Sequence, residues 1–191
     1  MINPTGSMAA DRNRLIEIVK ARSFQSGVNI TLASGKPSTY YFNMKPTMLD
    51  PEGSYLIASL MLDLVSEDKA TLIGGLEMGA VPVATSIATV SHIQKRSISA
   101  FFIRKQAKEH GTQALIEGLP KGEEITGNRV VVVEDVTTTG ASALKAVEAV
   151  KEAGGEVVCV VTIVDRLDGA GEAFSEAGVP FKALLTLEDF K

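Results

Sequence analysis

The chain has one cysteine in 191 residues, no tryptophan, and only 5 % aromatic residues. A single cysteine excludes an intrachain disulfide and a cysteine-based zinc cluster. Cys159 sits between Val157-Val158 and Val160-Val161, the surroundings of a buried strand thiol in a reducing compartment. Positive charge is not in excess: 19 Lys and Arg face 23 Asp and Glu, a net charge of −4. That balance argues against a nucleic-acid partner or an anionic membrane surface. Long apolar runs are also missing. Leu72–Val90 comes nearest, 19 residues with Glu77 as the single charge, but Gly74, Gly75, Gly79 and Pro82 interrupt it. It reads as strand, glycine-rich loop and helix rather than a bilayer span of about 20 apolar residues. Met1–Asp11 lacks the apolar core of a signal peptide. The expectation is a cytoplasmic protein with neither membrane nor nucleic acid as partner.

What is present is globular composition, 45 % apolar and 22 % charged, at a length suited to one domain. Residues 1–8 read as a tag or disordered tail, Gly6-Ser7-Met8 resembling a cloning scar, and are set aside. Asp11–Arg22 places Leu15, Ile18 and Val19 on one helical face. Asn29–Ser34 and Thr39–Met44 flank a turn-rich Ser-Gly-Lys-Pro-Ser and read as a hairpin. Asp50-Pro51 is a helix start, an N-cap followed by proline at the first helical position. Strands at Thr71–Ile73, Ile98–Ile103, Arg129–Val133, Val157–Val164 and Phe181–Leu185 then alternate with helices at Ala80–His92, Ala141–Ala153 and Glu172–Ala177. The nearly continuous apolar runs Val130–Val133 and Val157–Val164 call for burial on both faces. The fold class expected is α/β: a doubly wound, mostly parallel sheet with helices on both faces. Residues 9–50 form an N-terminal helix and hairpin hood, and 51–191 the core, within one compact domain.

Ligands of such sheets bind beyond the carboxyl ends of the strands. Four loops should open there: Gly74–Gly79, Arg104–Gly118, Glu134–Gly140 and Asp165–Gly171. The third carries the strongest motif. Val130–Val133 runs into Glu134 and Asp135, then Val136, Thr137, Thr138, Thr139, Gly140, Ala141 and Ser142. Backbone N–H groups at a helix start, with Thr and Ser hydroxyls, suit a phosphate monoester. Two acids beside an anion site make sense only against something uncharged or cationic, such as ribose hydroxyls or a developing sugar cation. No Walker A sequence is present, which disfavours a nucleoside triphosphatase.

This segment resembles the phosphoribosyl-pyrophosphate (PRPP) fingerprint of type I phosphoribosyltransferases: four hydrophobic residues, two acids, then Thr-Thr-Gly or a variant. A second segment narrows the resemblance. Arg104, Lys105, Lys108 and His110 put four potential cations into seven residues of an aperiodic stretch ending in Gly111. It looks like the catalytic loop Arg-Lys-x-x-Lys-x-His-Gly of orotate phosphoribosyltransferases; taken alone, it reads equally as a solvated charged loop. A third, Ser34-Gly35 through Ser38 to Tyr40-Tyr41-Phe42, is similar to the hairpin that covers the pyrimidine in that family. On a strand its three aromatics alternate faces, so one or two could stack on a flat ring and the others pack as hairpin core. A fourth, Asp165-Arg166, matches the segment whose arginine holds the orotate carboxylate.

The resemblance spans about Leu15 to Leu187 and departs from the family twice. Ala33 stands where some members carry a lysine, with Lys36 as a nearby substitute, and Glu77 stands in a loop where other members have an aromatic–lysine pair. What the resemblance implies is transfer of the phosphoribosyl group of PRPP to orotate, giving orotidine 5′-monophosphate and pyrophosphate. Lys108, His110, Asp135 and Glu134 are the implied catalytic residues. PRPP would lie on Arg104, Lys105, Lys108, His110, Glu134, Asp135 and the run Val136–Ser142, and orotate on Tyr41, Phe42, Thr138 and Arg166. Mg²⁺ would be held by diphosphate, ribose and water oxygens, with no protein ligand. The family also implies a homodimer in which Arg104–Gly118 reaches the neighbouring site. Two alternatives stay open: a purine phosphoribosyltransferase, and a PRPP-sensing regulator without catalysis.

Overall fold

The computed structural model describes residues 7–31, 35, 37–106 and 115–191. The chain opens with helix α1 (Met8–Arg22), capped by the Ser7 side chain, which accepts from the Ala10 N–H. Leu15, Ile18 and Val19 are its buried face, at the spacing the sequence predicts. Strands β1 (Phe24–Thr31) and β2 (Pro37–Phe42) pair antiparallel as a sheet of their own. A short helix α2 (Lys45–Met48) leads to α3 (Pro51–Leu64), where Asp50 accepts from the Gly53 N–H at 3.0 Å.

The main sheet then builds up as β3 (Leu72–Leu76), α4 (Ala80–Ile93), β4 (Ser99–Ile103), β5 (Ile116–Glu117), β6 (Arg129–Thr137), α5 (Ala141–Glu152), β7 (Glu156–Asp165), α6 (Ala170–Glu176) and β8 (Phe181–Thr186). Its order is β5-β4-β3-β6-β7-β8, parallel throughout except for the β5 edge. Alternate residues of β6 serve opposite faces. Val131 and Val133 pack with Leu15, Phe42, Ile57, Met61 and Ile87, whereas Val130 and Val132 pack with Ala146, Val147, Val150 and Phe174. Both faces are therefore covered, as the continuous valine runs require. The region examined as a membrane span is β3, a loop and α4. No helix among the described residues is long and apolar enough to cross a membrane.

Several boundaries differ from the sequence expectation: Ser7 and Met8 cap and start α1 rather than belonging to a tail, and the first hairpin strand is Phe24–Thr31 rather than Asn29–Ser34. Gly74 and Gly75 are strand, not loop, and pair with Phe101 and Phe102. A Cβ on Gly74 would lie 2.4 Å from the Phe101 carbonyl oxygen, and one on Gly75 would lie 2.3 Å from that of Val133. The glycines are there because neighbouring backbones come too close for a side chain. Strand β6 also runs past Val133, with Glu134, Val136 and Thr137 pairing with Thr162, Val164 and Asp165 of β7.

From β3 the chain steps outward to β4, then returns to lay β6 on the other side of β3. The junction of β3 and β6 is thus the point where the winding reverses, and the crevice of an open α/β sheet forms beyond the strand ends there.

Candidate active site

Beyond β3 lies the Glu77–Gly79 turn, and the end of β6 carries Glu134 and Asp135. The two are in contact: a Cβ on Gly79 would stand 2.5 Å from Asp135 Oδ1, so only glycine leaves room for that carboxylate. Asp135 Oδ1 also accepts from the Val136 N–H at 2.9 Å, which folds the side chain back along the strand end.

After Thr137 the chain turns through Thr138 and Thr139 to Gly140, the N-cap of α5, at φ +80°. A side chain at Gly140 would be strained by that φ and would meet the Phe174 ring at 3.1 Å. No side chain caps α5. Its first N–H groups, together with the residues from Val136 to Ala143 and Glu134, face a cavity of about 330 Å³. An uncapped helix start lined with hydroxyls has the chemistry to receive an anion. Val136, Thr137, Thr138, Thr139, Gly140, Ala141 and Ser142 are thus brought together as the sequence predicts. Thr137 Oγ1 and Glu134 Oε2 are buried there without a hydrogen-bond partner among the described residues.

Glu134 is only 8 % exposed, and its pKa is pushed up to about 8, first by burial and then by the charge of Asp135; the Lys105 ammonium pulls it the other way. The native protein therefore holds a proton that the unfolded chain releases near its ordinary value of 4.5. Between that value and about 8 the native state binds more protons, so this group's contribution to stability falls as pH rises. We expect Glu134→Gln to be more stable than wild type above about pH 8, and to show a flatter decline in Tm across the window. Thermal melts of the ligand-free proteins from pH 5 to 9 measure this; parallel curves would mean Glu134 titrates normally.

Arg104 and Lys105 follow β4 directly. The Arg104 guanidinium is 3.5 Å from Glu117 Oε1 on β5, and the Lys105 N–H donates to Glu77 Oε1 at 2.9 Å. Lys108, His110 and Lys36 lie outside the described residues.

Arg166 follows β7 and is 4 % exposed. Its guanidinium donates to the Tyr40 carbonyl oxygen at 3.1 Å, to Ser38 Oγ at 2.8 Å and to Asp168 at 3.4 Å. These residues, with Asn29, Pro37, Thr39 and Leu187, line a second cavity of about 380 Å³. The hairpin placement corrects one expectation. Phe42 does not offer its ring to a ligand: it is 7 % exposed and packs against Phe24 and Phe190. Strand alternation puts Ser38, Tyr40 and Phe42 on the inward face and leaves Tyr41, 41 % exposed, on the other. Ser38 and Tyr40 belong to the hairpin motif read from the sequence, but their contact with Arg166, and that of Asp168, is not legible there. The one hint of it is the arginine itself, whose five donors need acceptors once buried.

Residues 48–177 match the phosphoribosyl transferase domain, so the chain belongs to the phosphoribosyltransferase family. Its place within that family is among the orotate phosphoribosyltransferases. It is 56 % identical to the orotate phosphoribosyltransferase of Rhodopseudomonas palustris strain TIE-1, over 96 % of this chain and 98 % of that one. It is 46 % identical to the enzyme of that name from Mycobacterium bovis, over 94 % and 96 %. Among solved structures, Mycobacterium tuberculosis orotate phosphoribosyltransferase with Fe(III) dicitrate aligns at a TM-score of 0.80 and 46 % identity, over 94 % of this chain and 98 % of that one. The same enzyme in complex with PRPP aligns at 0.76 and 43 %, with the same coverage.

Proposed function

We infer that the chain transfers the 5-phosphoribosyl group of PRPP to orotate, forming orotidine 5′-monophosphate and releasing pyrophosphate, a step of pyrimidine synthesis. The observation that carries this reading is the uncapped start of α5 beside Glu134 and Asp135, in a chain 56 % identical end to end to an orotate phosphoribosyltransferase.

The reaction breaks the bond from the anomeric carbon to diphosphate and forms one to a ring nitrogen of orotate. Positive charge develops on the sugar and negative charge on the leaving group, so positioning and electrostatics do most of the work. The N–H groups and hydroxyls of Thr137–Ser142 receive the 5′-phosphate, with Val136 and Gly140 shaping the turn. Asp135 faces the sugar and opposes its developing charge, while Glu134 takes a ribose hydroxyl. Arg104, Lys105, Lys108 and His110 stabilise the departing diphosphate. Arg166 orients the orotate carboxylate with Thr138; Tyr41, on the opposite face of β2, is turned away from the cavity that Arg166 lines.

PRPP brings Mg²⁺ with it. Among the described residues no group of three or more ligating side chains stands together. The cation would draw its ligands from diphosphate, ribose hydroxyls and water. When bound, the ion neutralises diphosphate charge. The enzyme acts in the cytoplasm as a homodimer, the 104–118 segment contributing to the neighbouring site through Lys108, while Lys105, held by Glu77, stays beside Glu134 of its own chain.

The test is consumption of orotate with PRPP and Mg²⁺, followed by its ultraviolet absorbance, with hypoxanthine, adenine and uracil as controls. Orotate alone should turn over; comparable use of a purine would overturn the reading. In the same assay Arg166→Ala should raise the KM for orotate roughly 10- to 150-fold, the worth of a charge-assisted hydrogen bond of about 1.5–3 kcal/mol, with a smaller change for PRPP. Equal losses for both substrates would reduce Arg166 to a tie between hairpin and core.

A further inference from the structure

On the phosphoribosyl-transfer reading, an acid in the turn that abuts Asp135 is an electrostatic anomaly beside a departing diphosphate, and Glu77 is that acid. Its surroundings explain it. The β3–β4 ladder ends with Leu76 opposite Ile103. One residue on, the Glu77 N–H donates to the Ile103 carbonyl oxygen at 2.8 Å, and Glu77 Oε1 accepts from the Lys105 N–H at 2.9 Å. Glu77 therefore grips the chain on both sides of Arg104. Arg104 itself is held from the opposite direction, its N–H donating to the Leu115 carbonyl oxygen at 2.8 Å and its guanidinium facing Glu117.

The consequence falls on Lys105. Past the end of a ladder a backbone N–H loses its strand partner and the direction of its side chain is no longer set by the pleat. The Glu77 carboxylate restores a partner at that residue. The Lys105 ammonium, in turn, lies close enough to Glu134 to act on its titration. An oxygen already accepting an N–H also carries less unopposed charge toward an incoming anion.

We propose that Glu77 is a positioning residue: by holding the Lys105 N–H, its carboxylate aims the Lys105 ammonium at the Glu134–Asp135 pair and the departing diphosphate. This rests on the phosphoribosyl-transfer reading above. Glu77 acts through Lys105 and makes no contact with substrate.

The experiment is a double-mutant cycle in kcat, with saturating orotate, PRPP and Mg²⁺, on Glu77→Ala, Lys105→Ala and the pair together. Glu77→Ala should lower kcat about 10- to 100-fold, the range for a misplaced group, with the KM for orotate unchanged. Lys105→Ala should cost as much or more, and the double variant no more than Lys105→Ala alone. Glu77→Gln, whose amide oxygen can still accept the N–H, should recover kcat to within about threefold of wild type. If Glu77→Ala lowers Tm, Glu77→Met, similar in length but without an oxygen acceptor, takes its place with the same expectations. Additive losses, or a Gln variant as damaged as the Ala variant, overturn the proposal. Failure of wild type to consume orotate overturns the transferase reading instead, so the two failures are distinct.

Discussion

Asp135→Asn lowers kcat by about 100- to 1,000-fold, while the KM values for PRPP and orotate change by less than about tenfold. The asymmetry follows from when the charge matters. In the ground state the ribose is neutral and an amide in place of the carboxylate can still hydrogen-bond a hydroxyl. As the bond to diphosphate stretches, the sugar becomes cationic, and only the carboxylate opposes that charge. Asp135 is placed for this by the strand end, the Val136 N–H it accepts from, and the space left by Gly79. Glu134 is the poorer bearer of that charge, because burial and the neighbouring Asp135 both push its carboxyl above the usual range. Steady-state kinetics in both directions provide the measurement. An unchanged kcat would remove Asp135 from the chemistry.

Mixing two dead enzymes should restore activity. If the 104–118 segment serves the partner's site, Lys108 and Asp135 of one working site come from different chains. Lys108→Ala and Asp135→Asn homodimers are then each nearly inactive. In a heterodimer one site carries both lesions and the other carries none. Equal amounts exchanging at random make half the dimers heterodimers, so activity returns to about a quarter of wild type. The check is an exchange time course, with heterodimers verified by differential tagging. Verified heterodimers no more active than their parents would show that the segment serves its own chain, and the substrate assignment would stand.

The architecture was legible where one physical cause dominates. Valine runs wanted on both faces can only be central parallel strands, and Val130–Val133 and Val157–Val164 are that. The Thr137–Ser142 turn was legible as the lining of one cavity because hydroxyls and a glycine between a strand and a helix mark such a turn. The misreadings share a cause: contacts distant in sequence overrode local composition. Glu134, Val136 and Thr137 read as loop, yet β7 runs far enough to pair with them. Gly74 and Gly75 read as loop, yet the flanking backbones demand glycine. Three consecutive aromatics announce a hairpin face without saying which one faces in, and Phe24 and Phe190 decided it for Phe42. Glu77 meets the Lys105 N–H 28 residues away, a pairing no local pattern encodes.

The bare start of α5 has one more consequence. A helix with glycine at its N-cap has no capping side chain and forgoes a few tenths of a kcal/mol, on the order of 0.3, relative to Ser, Thr, Asn or Asp. Here the deficit coincides with the ligand cavity, and Gly140, in the left-handed region, stands where such a cap would sit. The free protein therefore forgoes a little stability at this turn, and on the proposed reading the phosphate group of PRPP would be the missing cap. Tolerance to heat and grip on substrate are drawn from the same few N–H groups. Selection for a sturdier empty enzyme at this turn would work against the filled one.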